Sequence, residues 1–169
     1  MDFKKELNEY SEIINKELTK YLRKDECFEH KLNESVEYSL MAGGKRLRPT
    51  LMLATYRLFK NDFEKCFPFA VSMEMVHNFS LIHDDLPGID NDDFRHGKQT
   101  NHKKFNEATA ILAGDSLLNY AYLIISEELR YNISINKIEA FQELAHAVDR
   151  MIIGEYVDTE YEGKKVLID

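Results

Sequence analysis

Two cysteines in 169 residues, Cys27 and Cys66, are too few for a disulfide framework. Three prolines and seven glycines are likewise too few for a loop-rich or low-complexity chain. Basic side chains are also in deficit, 22 against 30 acidic ones, for a formal charge of -8. Nucleic acid and anionic membrane surfaces reward clustered Lys and Arg, so this balance argues against both as partners. No apolar signal core opens the chain, because charges recur throughout the stretch to Asp25. The longest apolar stretch, Ala108 to Ser126, is interrupted by Asp115 and Asn119 and reads as a buried helix instead of a bilayer span. Repeats, Ser/Gly-rich linkers and runs of period-two alternation are missing too, which leaves a single helical domain over residues 1–169 with a cytoplasmic location. A chain of this size buries about two-thirds of its unfolded surface and needs neither disulfide nor structural metal to fold.

What is present is helical periodicity. Phe3, Leu7, Tyr10, Ile14, Leu18 and Tyr21 fall at steps of three and four with Lys and Glu between them, which predicts an amphipathic first helix. A second helix is expected from about Asn33 to Met41, ending at Gly43-Gly44, and a third opening at Pro49. Cys66 to Leu86 is apolar around most of its circumference and is stopped by Pro87-Gly88, so it reads as a long buried helix. Glu107 to Leu129 and Lys137 to Tyr161 complete an all-α chain.

Three charged segments carry candidate chemistry. DDLPGIDNDD places Asp84, Asp85, Asp90, Asp92 and Asp93 at the C-terminal end of the buried helix, where carbonyl dipoles are already negative. Something cationic should compensate, and hard divalent cations take carboxylate oxygens. A solvated acidic turn is the plain alternative, weakened by the apolar wall of MVHNFSLI directly behind it. GGKRLRP offers Lys45, Arg46 and Arg48; on a helical turn Lys45 and Arg48 would face the same way and could grip one anion. FRHGKQTNH adds Arg95, His96, Lys98 and His102, either as charge balance or as further contacts to a metal-bound polyanion.

Taken in order, GGKRLRP, EMVHNFSLIHDDLPGIDNDDFRHGKQTNH, ATAILAGDSLL and GEYVD make residues 38–165 resemble the N-terminal portion of the trans-isoprenyl diphosphate synthases, the polyprenyl synthetase family, in their bacterial farnesyl diphosphate (geranyltranstransferase) form. The resemblance implies the N-terminal part of an isoprenoid synthase helical bundle around a central cavity, cytoplasmic and homodimeric. It implies an Mg2+-dependent prenyltransferase that joins isopentenyl diphosphate to dimethylallyl or geranyl diphosphate. Asp84, Asp85 and Asp90 match the first aspartate-rich motif and its metal ligands, and Arg95 an arginine on the allylic diphosphate. Lys45, Arg48 and His77 match the isopentenyl diphosphate contacts, and Asp158 an acidic position beside the allylic site. The family assigns product length to the Phe79 position; Ser80, four residues before Asp84, lies on the same helix face as that aspartate.

Two departures stand inside the match. His96 replaces a usual arginine, offering fewer donors than a guanidinium fork to isopentenyl diphosphate, and Glu155 replaces a usual glutamine. The resemblance also implies a further Lys-Thr motif and a second aspartate-rich motif in helices beyond GKKVLID, so this chain alone is expected to be inactive or weak. Other readings remain: a non-catalytic helical fragment that only dimerises, or an HD-type metal phosphohydrolase using His77, His83-Asp84 and Asp90. His83 itself reads as a helix-packing residue, and His102 and Asp115 as structural hydrogen-bonding positions.

Overall fold

The computed structural model describes residues 3–23 and 29–164, so Cys27 and the side chain of Phe3 lie outside the described residues. Among the described residues seven α-helices follow in order: α1 Phe3–Tyr21, α2 His30–Leu40, α3 Leu47–Arg57, α4 Phe67–Asp84, α5 Asn101–Lys104, α6 Glu107–Tyr131 and α7 Ile135–Tyr161. The chain divides into two compact units, Met1–Glu128 and Leu129–Asp169.

In the first unit the helices assemble around α4. Its Phe69, Ala70, Val71, Met75, Val76, Phe79 and Ile82 are buried, as the nearly all-apolar circumference of that segment requires. Ile14 and Leu18 of α1, Leu40 of α2, Leu53 of α3 and Leu117 and Ile125 of α6 are fully enclosed. Each such side chain contributes roughly 1.5–3 kcal/mol relative to exposure. On α6 the buried residues Ala110, Ala113, Gly114, Leu117, Ala121, Ile124 and Ile125 recur at helical spacing and form one face. The helix is long and apolar enough to cross a membrane by length and composition. Two polar bonds fix α6 along α4: the Ser72 hydroxyl donates to the Ala121 carbonyl at 2.9 Å, and His83 Nε2 to the Ile111 carbonyl at 3.0 Å.

In the second unit α7 is capped by Ser134, whose Oγ accepts from the Lys137 amide, and buries Val148.

Several boundaries differ from expectation. Helix α2 starts at His30, a turn before Asn33, and α3 at Leu47, two residues before Pro49, which therefore sits in its first turn. A short 3₁₀ turn, Phe63–Cys66, leads into α4. A small antiparallel hairpin pairs β1 Phe94–Arg95 with β2 Lys98–Gln99. Strands of two residues are too short to show alternation, which is why the sequence carries no trace of them.

Candidate functional site

The GGKRLRP segment is shaped by its middle arginine. Gly43 and Gly44 take φ of +111° and +116°, and Arg46 follows at +49°, so three residues in four occupy backbone conformations that turn the chain sharply before α3. Arg46 is 4% exposed. Its Nη1 meets Glu74 Oε1 of α4 at 2.7 Å, its Nε donates to Asn15 Oδ1 of α1 at 2.9 Å, and its Nη2 donates to the Leu40 carbonyl at 2.6 Å. Asn78 Nδ2 shares the Glu74 carboxylate from one turn along α4. Lys45 thus precedes the helix instead of lying on it, and the shared helical turn expected for Lys45 and Arg48 does not exist. Both residues nevertheless line one cleft of about 340 Å3 with His77 and His96.

Within that cleft Arg48 Nη1 donates to His77 Nε2 at 3.3 Å. Burial, and then the positive charge of Arg48, Arg46 and Arg95, push the His77 imidazole down to about 4, so it is neutral and accepts from Arg48. The one acid in the lining, Glu74, is committed to Arg46. A concave surface of fixed cations with no unclaimed carboxylate favours a polyanion.

His77 and Asp84 are seven residues apart on α4, two turns or about 10 Å, and share a helix face. At the Asp84 end the chain folds back over the helix terminus. The Asp90 amide donates to the Asp84 carbonyl at 2.9 Å, and Asn91, at φ +55°, donates to the Leu86 carbonyl at 3.1 Å. Asp85 is 3% exposed and accepts from Arg95 Nε at 2.8 Å and Nη2 at 2.7 Å. Burial raises the Asp85 carboxyl above its ordinary range, with Arg95 opposing the shift. The hydrogen bond to Asp85 raises Arg95 in turn. Arg95 also lies 3.7 Å from Asp92, and Lys103 pairs with Asp93 at 2.8 Å. The cationic compensation expected for this helix end is therefore supplied in part by the protein itself. Among the described residues no three His, Cys, Asp or Glu side chains converge to hold a metal. The donor set does suit Mg2+ in kind: oxygen ligands only, with Asp84 partly exposed, Asp90 exposed, and substrate oxygens able to complete a shell.

The hairpin joins the two halves of the site. Arg95, in β1, turns to Asp85; His96, the next residue, points its Nε2 toward Gly44, 3.9 Å from where a Cβ on that glycine would stand. His96 and Gly97 form the turn at φ +52° and +76°. Residues that the sequence did not flag hold this turn in place. The Tyr38 hydroxyl donates to the Gln99 carbonyl, Asn101 bridges Ser35 and Ser39, and the Thr100 hydroxyl donates to the Asp92 carbonyl. With its hydroxyl so engaged, Thr100 can only accept from His102 Nδ1, at 3.2 Å; His102 Nε2 has no hydrogen-bond partner among the described residues.

Phe79 is 7% exposed and packs edge-on to His83, with ring centroids 5.0 Å apart. The His83 ring in turn occupies the space that a side chain on Gly114 would fill. Ser80 donates to the His77 carbonyl. Asp158 is exposed on α7, in the second compact unit. Cys66 is buried, and burial pushes its thiol up to about 11, too high for a reactive thiolate. The Arg46–Glu74 anchor also escaped the sequence reading. Its signal was there: Glu74 is the only Asp, Glu, Lys or Arg between Cys66 and His83, and a lone acid in an apolar helix requires a buried partner.

A mainly helical body with an acid-tipped central helix and a cationic cleft beside it has the fold of solved isoprenoid synthases. The polyprenyl synthetase pattern matches residues 29–168, and the chain belongs to that family. It is 45% identical to the farnesyl diphosphate synthase of Geobacillus stearothermophilus over 166 residues, 96% of this chain and 55% of the relative. Among solved structures, an FPP/GFPP synthase from Zymomonas mobilis is similar with a TM-score of 0.88 at 37% identity, over 98% of this chain and 60% of the other. A geranyltransferase from Legionella pneumophila superposes with a TM-score of 0.90 at 31% identity, over 98% and 59%. The chain thus spans a little over half the length of these three proteins.

Proposed function

We propose that this chain is the substrate-head portion of an Mg2+-dependent prenyltransferase that condenses isopentenyl diphosphate with dimethylallyl or geranyl diphosphate to farnesyl diphosphate. The observation that carries this reading is the pairing, on one face of α4, of a carboxylate terminus with a cationic cleft two turns away. Two diphosphates bound side by side would bring an allylic carbon and a double bond together, converting a bimolecular encounter into a positioned one.

In this reading Lys45, Arg48, His77 and His96 hold the isopentenyl diphosphate, while Arg95 and the Asp84 end take the allylic diphosphate. Asp84, Asp85 and Asp90 would hold Mg2+, which neutralises charge that develops on the leaving diphosphate. The allylic C–O bond breaks with its electron pair leaving on diphosphate. The isopentenyl double bond forms the new C–C bond to the allylic cation, and a proton is then lost. The protein's tasks are to orient both heads and to keep water from the cation, which the apolar wall of α4 serves. Phe79 and Ser80, five and four residues before Asp84 on α4, are proposed to limit product length. Exposed Ile111, Leu112 and Leu123 on α6 suit a homodimer in the cytoplasm.

A second reading, that these 169 residues alone form a non-catalytic helical body, is favoured by the lack of three converging metal ligands among the described residues. Product analysis with isopentenyl plus geranyl diphosphate and Mg2+, on this chain and on one extended to the relatives' length, tests the proposal. The expected result is little or no product from this chain and a C15 product when it is extended to the relatives' length. An extended, folded chain that makes no prenyl diphosphate would overturn the proposal.

A further inference from the structure

Arg46 is a buried charge held by three hydrogen bonds, and it lies in sequence between Lys45 and Arg48, the two exposed cations that line the cleft. Its guanidinium reaches α1 through Asn15, α4 through Glu74 and the end of α2 through the Leu40 carbonyl. Its own backbone is in the left-handed region, the conformation that reverses the chain between Lys45 and α3. A non-glycine residue holds that conformation at a cost and persists there only when its surroundings over-determine it. Three hydrogen bonds to three different helices do so.

Resting on the diphosphate reading of the cleft, we propose that Arg46 is a positioning residue: its buried triple anchor sets the turn that aims Lys45 and Arg48 at the diphosphate of isopentenyl diphosphate. Two facts favour this over a purely structural ion pair. Glu74 precedes His77 by one turn on α4, so the carboxylate that fixes the turn and the imidazole that accepts from Arg48 are carried by the same rigid element. Arg46 and Glu74 also form the buried back wall of the cleft lined by Lys45, Arg48 and His77. Slack at the anchor therefore appears as misplacement of the exposed cations.

Arg46→Lys is the discriminating change, because it keeps the buried charge opposite Glu74 but cannot form the planar three-way grip. Calorimetric titration of the 169-residue chain with inorganic pyrophosphate, free of metal, reads the cleft directly. NMR titration of His77 reads whether Arg48 still stands beside it, against the background of Arg46, Arg95 and His96. The expected result is a melting temperature near that of the parent, a dissociation constant for pyrophosphate raised about tenfold or more by misplacement, and a His77 pKa that moves up toward the ordinary imidazole value. Should Arg46→Lys not fold, Asn15→Ala, which removes only the Nε contact, is expected to give the same two shifts at smaller size. Parent-like pyrophosphate binding and an unmoved His77 in whichever variant folds would overturn the positioning role while leaving the cleft's function intact. Failure of the parent chain itself to bind pyrophosphate would overturn the diphosphate reading, and this inference with it.

Discussion

The two ends of the site on α4 solve opposite electrostatic problems. At the C-terminal end the negative charges outnumber their partners, but Asp85 is closed off by Arg95 and Asp93 by Lys103. In the cleft two turns upstream the only acid is claimed by Arg46, and Lys45 and Arg48 stay exposed. One end is ready for an anion as it stands. At the other, Arg95 already holds an oxygen of Asp85. The difference teaches that the two proposed diphosphate sites are not equivalent: one is backed by a buried ion pair, whereas the carboxylates of the other are already engaged by the chain's own cations.

The sharpest way to break that contrast is to break the anchor. Glu74→Ala leaves a buried guanidinium unpaired and should cost about 3–5 kcal/mol in chemical denaturation. Arg48→Ala, by contrast, should change stability by less than about 0.5 kcal/mol while abolishing measurable pyrophosphate binding. Next in size is the packing that both ends share. Gly114→Ala drives a methyl into the His83 ring and should cost about 1–3 kcal/mol, and in an extended, active chain it should broaden the product-length distribution because Phe79 leans on that ring.

His96→Arg sharpens the comparison from the other side. A guanidinium at the turn adds a charged fork to the cleft and should tighten pyrophosphate binding by about tenfold, or ~1.4 kcal/mol. An unchanged dissociation constant would show that residue 96 does not reach the anion. A further effect is with pH. The unfolded chain protonates His77 near 6.5, whereas the folded chain resists until about 4. Between these values the unfolded form binds the extra proton, so stability falls as pH drops through that window and is fully present above it. Thermal melts across it should show a shallower slope for His77→Gln.

Much of this was legible in the residues, for physical reasons that also mark where legibility stops. A helix with one buried stripe announces itself by period, as α1 did, and α6 showed as a long apolar stretch. The acidic cluster and GGKRLRP were visible because charge next to apolar sequence is unusual. What the pattern could not give was pairing at a distance. Arg46 and Arg48 look alike in the string, yet one is buried against Glu74, 28 residues away, and the other is exposed. The hairpin was invisible because its strands are two residues each, and its anchors, Tyr38, Ser35 and Asn101, are ordinary polar residues until the chain brings them together across more than sixty positions.

That hairpin places consecutive residues on opposite sides of a ribbon, Arg95 toward the carboxylates and His96 toward the glycine turn. The loop between Asp84 and Thr100 therefore has a frame, much as a codon does. Deleting or inserting one residue ahead of Arg95 would exchange the two addresses, sending imidazole to the acids and guanidinium to the cleft. A point substitution in this loop alters one address at a time, whereas a change of its length by an odd number alters both together.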